Sequence, residues 1–197
     1  MQVDQTSKIP VLHVDVWYSK LPDSAALNNS LLTEIRVHKA EDERLMPYTN
    51  PGCWRGEKRY KCEQDLFSRV RAQMKTILMS YPLDINPDAL NLSIEYWTNV
   101  NSRGGSNQIH SHNLESSDWS GCYYIQSTGT GAIRFYTEQC LHQQIKPYMP
   151  FGATVEIFPE DGDLVMFPSY LLHEVMPNPG DRERINIAFN ITFTARV

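Results

Sequence analysis

Apolar and polar positions recur with two different periods along this 197-residue chain. In the first part, Leu27, Leu31 and Ile35 return at helical spacing with Leu32 beside them, a stripe that predicts an amphipathic helix with Asp23 as its N-cap. A second helix is predicted from about Glu63 to Ser80, where Leu66, Phe67, Val70, Met74, Ile77 and Leu78 share a face and Pro82 follows. The opening VLHVDVWYSKLP is β-branched and aromatic and stops at Pro22, as a strand does, and YTNPGCWRGEKRY between the helices reads as a Pro/Gly-rich loop. From Leu92 the period shortens to two. LSIEYWTNV, SGCYYIQ, AIRFYT, TVEIFP, DLVMFP and RINIAFNITFT read as short strands, separated by turn-forming STGTG and PEDGD. Two helices ahead of many strands, with no βαβ alternation, predict a mainly β fold with flanking helices. The expected architecture is a double-stranded β-helix (jelly roll) over 91–197, buttressed by two N-terminal helices within 1–90, all in one domain spanning 1–197.

Composition narrows the partners rather than the fold. A net charge of -5 with a pI near 5.7 disfavours nonspecific attraction to nucleic acid or an anionic membrane. No apolar run approaches the roughly 18 residues of a membrane span, and MQVDQTSKIP lacks the apolar core of a secretion signal, so a cytoplasmic location is expected. Cys53, Cys62, Cys122 and Cys140 form no CxxC pair and are too sparse for a disulfide framework, so reduced thiols are expected. Oligomeric state is left open.

The histidines carry the candidate chemistry. His13, His38 and His142 read as isolated core or surface residues. His110 and His112 differ, because HxH on an extended segment puts both side chains on one side with Cα atoms about 6–7 Å apart, close enough to converge on one ion. His173 follows the turn and apolar strand DGDLVMFPSYLL, and an antiparallel jelly roll can bring it beside the earlier pair. Arg184 opens a strand otherwise apolar at Ile185, Ile187, Ala188 and Phe189, where a buried cation needs an anion. That anion is either a carboxylate of the protein or the carboxylate of a small ligand gripped by the guanidinium fork.

HxH at a strand entrance, SGCYYI, GAIRFY, DGDLVMFPSYLLHEV and RINIAFN, in this order, resemble the 2-oxoglutarate and iron(II)-dependent oxygenases, of a bacterial and phage type within the prolyl-hydroxylase-like superfamily. The resemblance covers Asn99 to Phe193 and extends weakly to NPGCWRG, where Cys53 replaces a glycine of the family loop. It implies Fe(II) held by His110, His112 and His173, and 2-oxoglutarate as cosubstrate with its far carboxylate on Arg184, assisted by Asn186 and Tyr124. The implied reaction is hydroxylation of a small-molecule or peptidyl substrate with release of succinate and CO2. His112 stands where the wider superfamily carries a carboxylate, so three neutral imidazoles would leave the site about one charge more positive than the usual facial triad. Asp118 and Glu115, in the loop after His112, are the alternative carboxylate ligands. Ser120 matches a cavity-lining position, and Trp119, beside the histidine loop, is the aromatic expected to face the cavity, with Trp97, Tyr123 and Tyr124 as further wall candidates.

Two other readings fit the same residues. One is a cupin-type metal-binding jelly roll that does not use 2-oxoglutarate, which has no need of Arg184; the other is a non-enzymatic module whose histidines only hydrogen-bond. For an oxygenase, TNPGCWRGEKRY, NSRGGSNQ and the excursion from Glu138 to Gly152 would surround the mouth, and Arg55, Lys58, Arg59 and Arg103 would suit an acidic substrate.

Overall fold

The computed structural model describes residues 14–42, 45–46, 50–82, 86–112, 116–136 and 154–195. Strand β1 (Trp17–Lys20) is followed by α1 (Ser24–Glu41), β2 (Leu45–Met46), β3 (Cys53–Gly56) and α2 (Glu63–Ser80). Then come β4 (Leu90–Asn101), β5 (Asn107–His110), β6 (Trp119–Gln126), β7 (Ile133–Tyr136), β8 (Thr154–Ile157), β9 (Asp163–Pro168), β10 (His173–Val175) and β11 (Arg184–Ala195). They form a seven-stranded sheet in the order β1-β9-β6-β11-β4-β3-β2 and a four-stranded sheet in the order β5-β10-β7-β8, with antiparallel pairing throughout. This is the mainly β arrangement expected, consistent with a jelly roll.

Alternation along β11 explains how one sheet serves two purposes. Ile185, Ile187, Phe189 and Ile191 are buried in one core with Leu31, Leu66, Val70, Met74 and Ile77 of the helices, while Asn186, Ala188 and Asn190 point to the other face and line a cavity. The six apolar residues predicted to share a face of α2 are all buried. At about 1.5–3 kcal/mol for each fully buried large side chain, that stripe is what holds the helix to the sheet. The opposite side of the large sheet forms a second core, where Tyr124, Phe135, Val165 and Phe167 meet across the two sheets.

Strand β6 follows the same parity. Trp119, Tyr123 and Ile125 lie in the helix-side core, and Ser120, Cys122 and Tyr124 face the cavity. Gly121 is on the helix side too, where an added Cβ would stand 2.4 Å from the Phe189 ring, so the position is closed to every other residue without displacing that ring.

Two local expectations are corrected. Asp23 has a left-handed φ of 50° and makes no side-chain cap bond, because an N-cap needs extended backbone for its carboxylate to reach back to the first helical N–H groups. The opening stretch read as a strand contains β1, which joins β9 in the large sheet. Within the supposed Pro/Gly loop, Cys53–Gly56 is a strand with Trp54 only 2% exposed and its indole N–H donating to the Asp42 carbonyl. Cross-strand pairing to β4 supplied what four residues flanked by Pro and Gly did not reveal.

Candidate metal centre

The site is built on the small sheet. His110 ends β5 and His173 begins β10, and the two are direct cross-strand partners. His112, two residues past the end of β5, is tied down by its own N–H donating to the Ser169 carbonyl at 2.9 Å. The rings meet with centroid separations of 4.3 Å (His110–His173), 5.3 Å (His110–His112) and 5.4 Å (His112–His173), and one ligand atom from each lies within 4.8 Å of the others. Among the described residues this group contains no carboxylate.

Hydrogen bonding prepares two of the rings for a cation. Nδ1 of His110 lies 2.6 Å from the Gln108 carbonyl, and Nδ1 of His173 lies 2.8 Å from the Leu171 carbonyl. A carbonyl only accepts, so each neutral ring carries its proton on Nδ1 and leaves the Nε2 lone pair free, as metal-bound histidines do. His173 is buried and its pKa is pushed down to about 3, chiefly by desolvation and then by the neighbouring His110. His112 is half-buried and falls to about 4 for the same first reason. Both are therefore neutral at pH 7, the form that binds metal. His112 also stacks on Trp97, at 6.1 Å and 20° between planes, and Phe167 packs edge-on against His173 at 4.7 Å.

The triad borders a cavity of about 450 Å³ between the sheets, within the roughly 300–1,000 Å³ of small-molecule sites. Of the other expected site residues, Tyr124, Asn186 and Ser120 line it. Arg184 is not in the lining; it is 1% exposed and near Tyr124, Cys122 and Cys53, of which Tyr124 and Cys122 line the cavity. Nη1 and Nη2 donate to the Thr130 and Met176 carbonyls at 3.0 Å each, and buried Nε has no hydrogen-bond partner. No described carboxylate pairs with it, so among the described residues this buried cation has no anion. Desolvation lowers its pKa accordingly.

Trp119 does not face the cavity. With Ser120 turned inward, period-two alternation turns its predecessor outward, and Trp119 packs edge-on against Tyr81 in the helix-side core. Asp118 is also directed elsewhere, its carboxylate accepting the Phe193 N–H at 2.7 Å, and it is not part of the histidine cluster. Glu115 lies outside the described residues, as does the Glu138–Gly152 excursion. Of the cations expected around the mouth, Lys58, Arg59, Arg103 and Arg55 pair with Glu41, Glu63, Asp181 and Glu57, and Arg55 alone of the four is in the cavity lining, its guanidinium 4.6 Å above the Trp97 ring.

Sequence reasoning missed Asn190, which lines the cavity and whose Oδ1 accepts the Ser120 hydroxyl at 2.9 Å, together with cavity-lining Asn99 and Asn107. The signal was present: Asn186 and Asn190 are four apart on one face of an otherwise apolar strand.

Residues 95–190 match the family described as "Putative 2OG-Fe(II) oxygenase". A comparison with curated protein sequences finds no match. Among solved structures, the fold is similar to a Pseudomonas putida prolyl-4-hydroxylase, with a TM-score of 0.61 at 20% identity over 92% of this chain and 93% of that one. It is similar also to HygX from Streptomyces hygroscopicus with nickel and 2-oxoglutarate bound (TM-score 0.58, 13% identity, 90% and 82% covered). A third is a Trichoplax adhaerens prolyl hydroxylase in complex with a hypoxia inducible factor peptide fragment (TM-score 0.59, 14% identity, 89% and 82% covered). The resemblance carried by the motifs therefore has independent support: residues 95–190 match a 2OG-Fe(II) oxygenase family in sequence, and the fold is similar to those of two prolyl hydroxylases.

Proposed function

We propose that the protein is an Fe(II)- and 2-oxoglutarate-dependent dioxygenase that hydroxylates a small-molecule or peptidyl substrate. The observation that carries this is the convergence of three imidazoles on one cavity, in a chain whose buried Arg184 has no carboxylate partner among the described residues. His110, His112 and His173 would hold the metal, and their donor set fits a borderline cation that tolerates all-nitrogen ligation. When bound, iron and 2-oxoglutarate couple dioxygen to loss of CO2 from the keto acid, giving succinate and an oxygen inserted into a substrate C–H bond.

The chain's own contribution is to bind, orient and exclude water. Three neutral ligands leave the metal's charge uncompensated, so a dianionic cosubstrate supplies the balance that a protein carboxylate gives elsewhere. Arg184 would take its far carboxylate, assisted by Tyr124 and Asn186, which line the cavity. Ser120 and Trp97 shape the remainder, and Trp97 holds the His112 ring from one face. At the mouth, Arg55 and Glu95 flank Trp97, which suits a substrate carrying a charged group.

HygX is described with nickel, 2-oxoglutarate and hygromycin B, and the Trichoplax hydroxylase with a peptide, so this fold accommodates both substrate classes. A cupin-type site that ignores 2-oxoglutarate has no use for Arg184. The deciding experiment is succinate and CO2 release from 2-oxoglutarate with Fe(II) and ascorbate: a His173→Ala variant should release neither, and a wild-type protein that consumes no 2-oxoglutarate contradicts the proposal.

A further inference from the structure

Apart from the histidines, Arg55 and Glu95 are the charged side chains among the described residues of the cavity lining. Strand register puts them there. Glu95, Trp97 and Asn99 are two apart on one face of β4, with Tyr96 and Thr98 buried on the other, and Arg55 of β3 is the cross-strand partner of Asn99. The wall also has a direction. Asn101, on that same face, is the partner of Arg184 on β11, six residues and roughly 20 Å along the strand from Glu95. A five-carbon diacid seated on Arg184 is far too short to cover Glu95.

Neither charge is neutralised within the wall. Glu95 is exposed, and among the described residues it has no ion pair or hydrogen bond; it does not pair with Arg55, although both adjoin Trp97. Arg55 lies with its guanidinium 4.6 Å over the Trp97 ring, a stacking that fixes the plane of the fork and leaves its edge open. Its Nε is 3.4 Å from Oε1 of Glu57 without hydrogen-bond geometry, and Glu57 is 75% exposed, so that pair contributes little. Nη1 and Nη2 donate to no described acceptor. A guanidinium held flat with free N–H groups suits bidentate binding of a carboxylate, and an unpaired carboxylate suits an ammonium.

We propose that Arg55 and Glu95 determine substrate specificity, and that the substrate is a zwitterion of the free amino acid class, with its carboxylate on Arg55 and its ammonium on Glu95. Trp97 stands between them in the register and also stacks on His112 at 6.1 Å, so a ligand anchored over that ring has its side chain beside the histidine triad. A simple anion gains from Arg55 and is repelled by Glu95, and a simple cation meets the reverse; a ligand bearing both charges is favoured by both. An internal peptide segment, with its uncharged backbone, brings neither group. The inference rests on the oxygenase reading for its chemistry, but the binding it predicts is measured separately.

The test is thermal unfolding of the Ni(II)-loaded protein, with saturating 2-oxoglutarate added first to fill its own site and then each common free amino acid at millimolar concentration. Each is compared with its carboxamide and its des-amino acid, which lack one charge apiece. At least one amino acid should raise Tm further, and its two analogues should bind about 10–100-fold more weakly. In Arg55→Gln that amino acid and its carboxamide should bind alike; in Glu95→Gln the amino acid and its des-amino analogue should bind alike. A merely structural role does not abolish discrimination in this selective way. Glu95 is exposed, so its variant decides the matter if Arg55→Gln does not fold. No response to any amino acid, analogues as effective as their parent, or discrimination intact in the variants overturns the proposal. So does loss of the 2-oxoglutarate response in Arg55→Gln, which would assign that arginine to the cosubstrate. Wild-type protein that ignores 2-oxoglutarate counts against the oxygenase reading alone, because the amino acid comparison still decides this one.

Discussion

Replacing Arg184 with Met separates a structural arginine from one kept for a ligand. In the wild type the side chain is 1% exposed and makes two hydrogen bonds to carbonyls. Such bonds from a charged donor contribute about 1.5–3 kcal/mol each, while desolvating the cation costs several kcal/mol. The two nearly cancel, so the metal-loaded variant without cosubstrate should lie within about 2 kcal/mol of wild type. The difference should appear when 2-oxoglutarate is added. At one hundred times its dissociation constant a ligand stabilises by about 2.7 kcal/mol, which in a chain of this size raises Tm by about 5–11 °C. Losing the guanidinium–carboxylate pair costs about 3–5 kcal/mol, or more than a hundredfold in affinity, so Arg184→Met should show almost no shift at that concentration. The assay is thermal unfolding of Ni(II)-loaded protein with and without 2-oxoglutarate. An undiminished shift in the variant refutes the assignment, and a variant that unfolds outright without ligand shows that the arginine is structural.

Three further outcomes are expected. Folding holds His112 and His173 at pKa values of about 4 and 3, below the 6.5 of an exposed histidine, so between pH 6.5 and 4 the unfolded chain takes up protons that the folded one refuses. Stability of the metal-free protein should thus fall on acidification from pH 6.5, by up to about 1.4 kcal/mol per pH unit from His173 alone, and a His173→Phe variant melted across the same range should show a shallower loss. Gly121→Ala should cost about 1–3 kcal/mol in denaturant unfolding, because its methyl group must displace the Phe189 ring; a neutral result would show that the helix-side core has slack there. Trp119→Leu should lower the melting temperature while leaving Ni(II) and 2-oxoglutarate affinity unchanged, since its ring packs on Tyr81 away from the cavity; weakened ligand binding in a folded variant would contradict that placement.

How much of this could be read in advance depended on how far apart the deciding atoms were in the chain. Helix α2 was fully legible, because its six apolar positions define a face without any neighbour. The histidine triad was legible as a possibility: HxH fixes two rings locally, but only the β10–β5 register brings His173 opposite His110. Trp119 was misplaced because alternation gives two faces without saying which is inward, and Ser120 and Tyr124, correctly placed, already carried the answer. Strand β3 was hidden because its order comes from β4, and Asn190 because a polar residue in a buried strand does not announce its partner.

The account stands most directly on an anaerobic Fe(II) titration followed by X-ray absorption at the iron edge. One iron per chain, with three imidazoles in its first coordination sphere and binding abolished by His173→Ala, is the predicted result. No stoichiometric binding, or an iron whose coordination is unchanged when His112 or His173 is replaced, would contradict it.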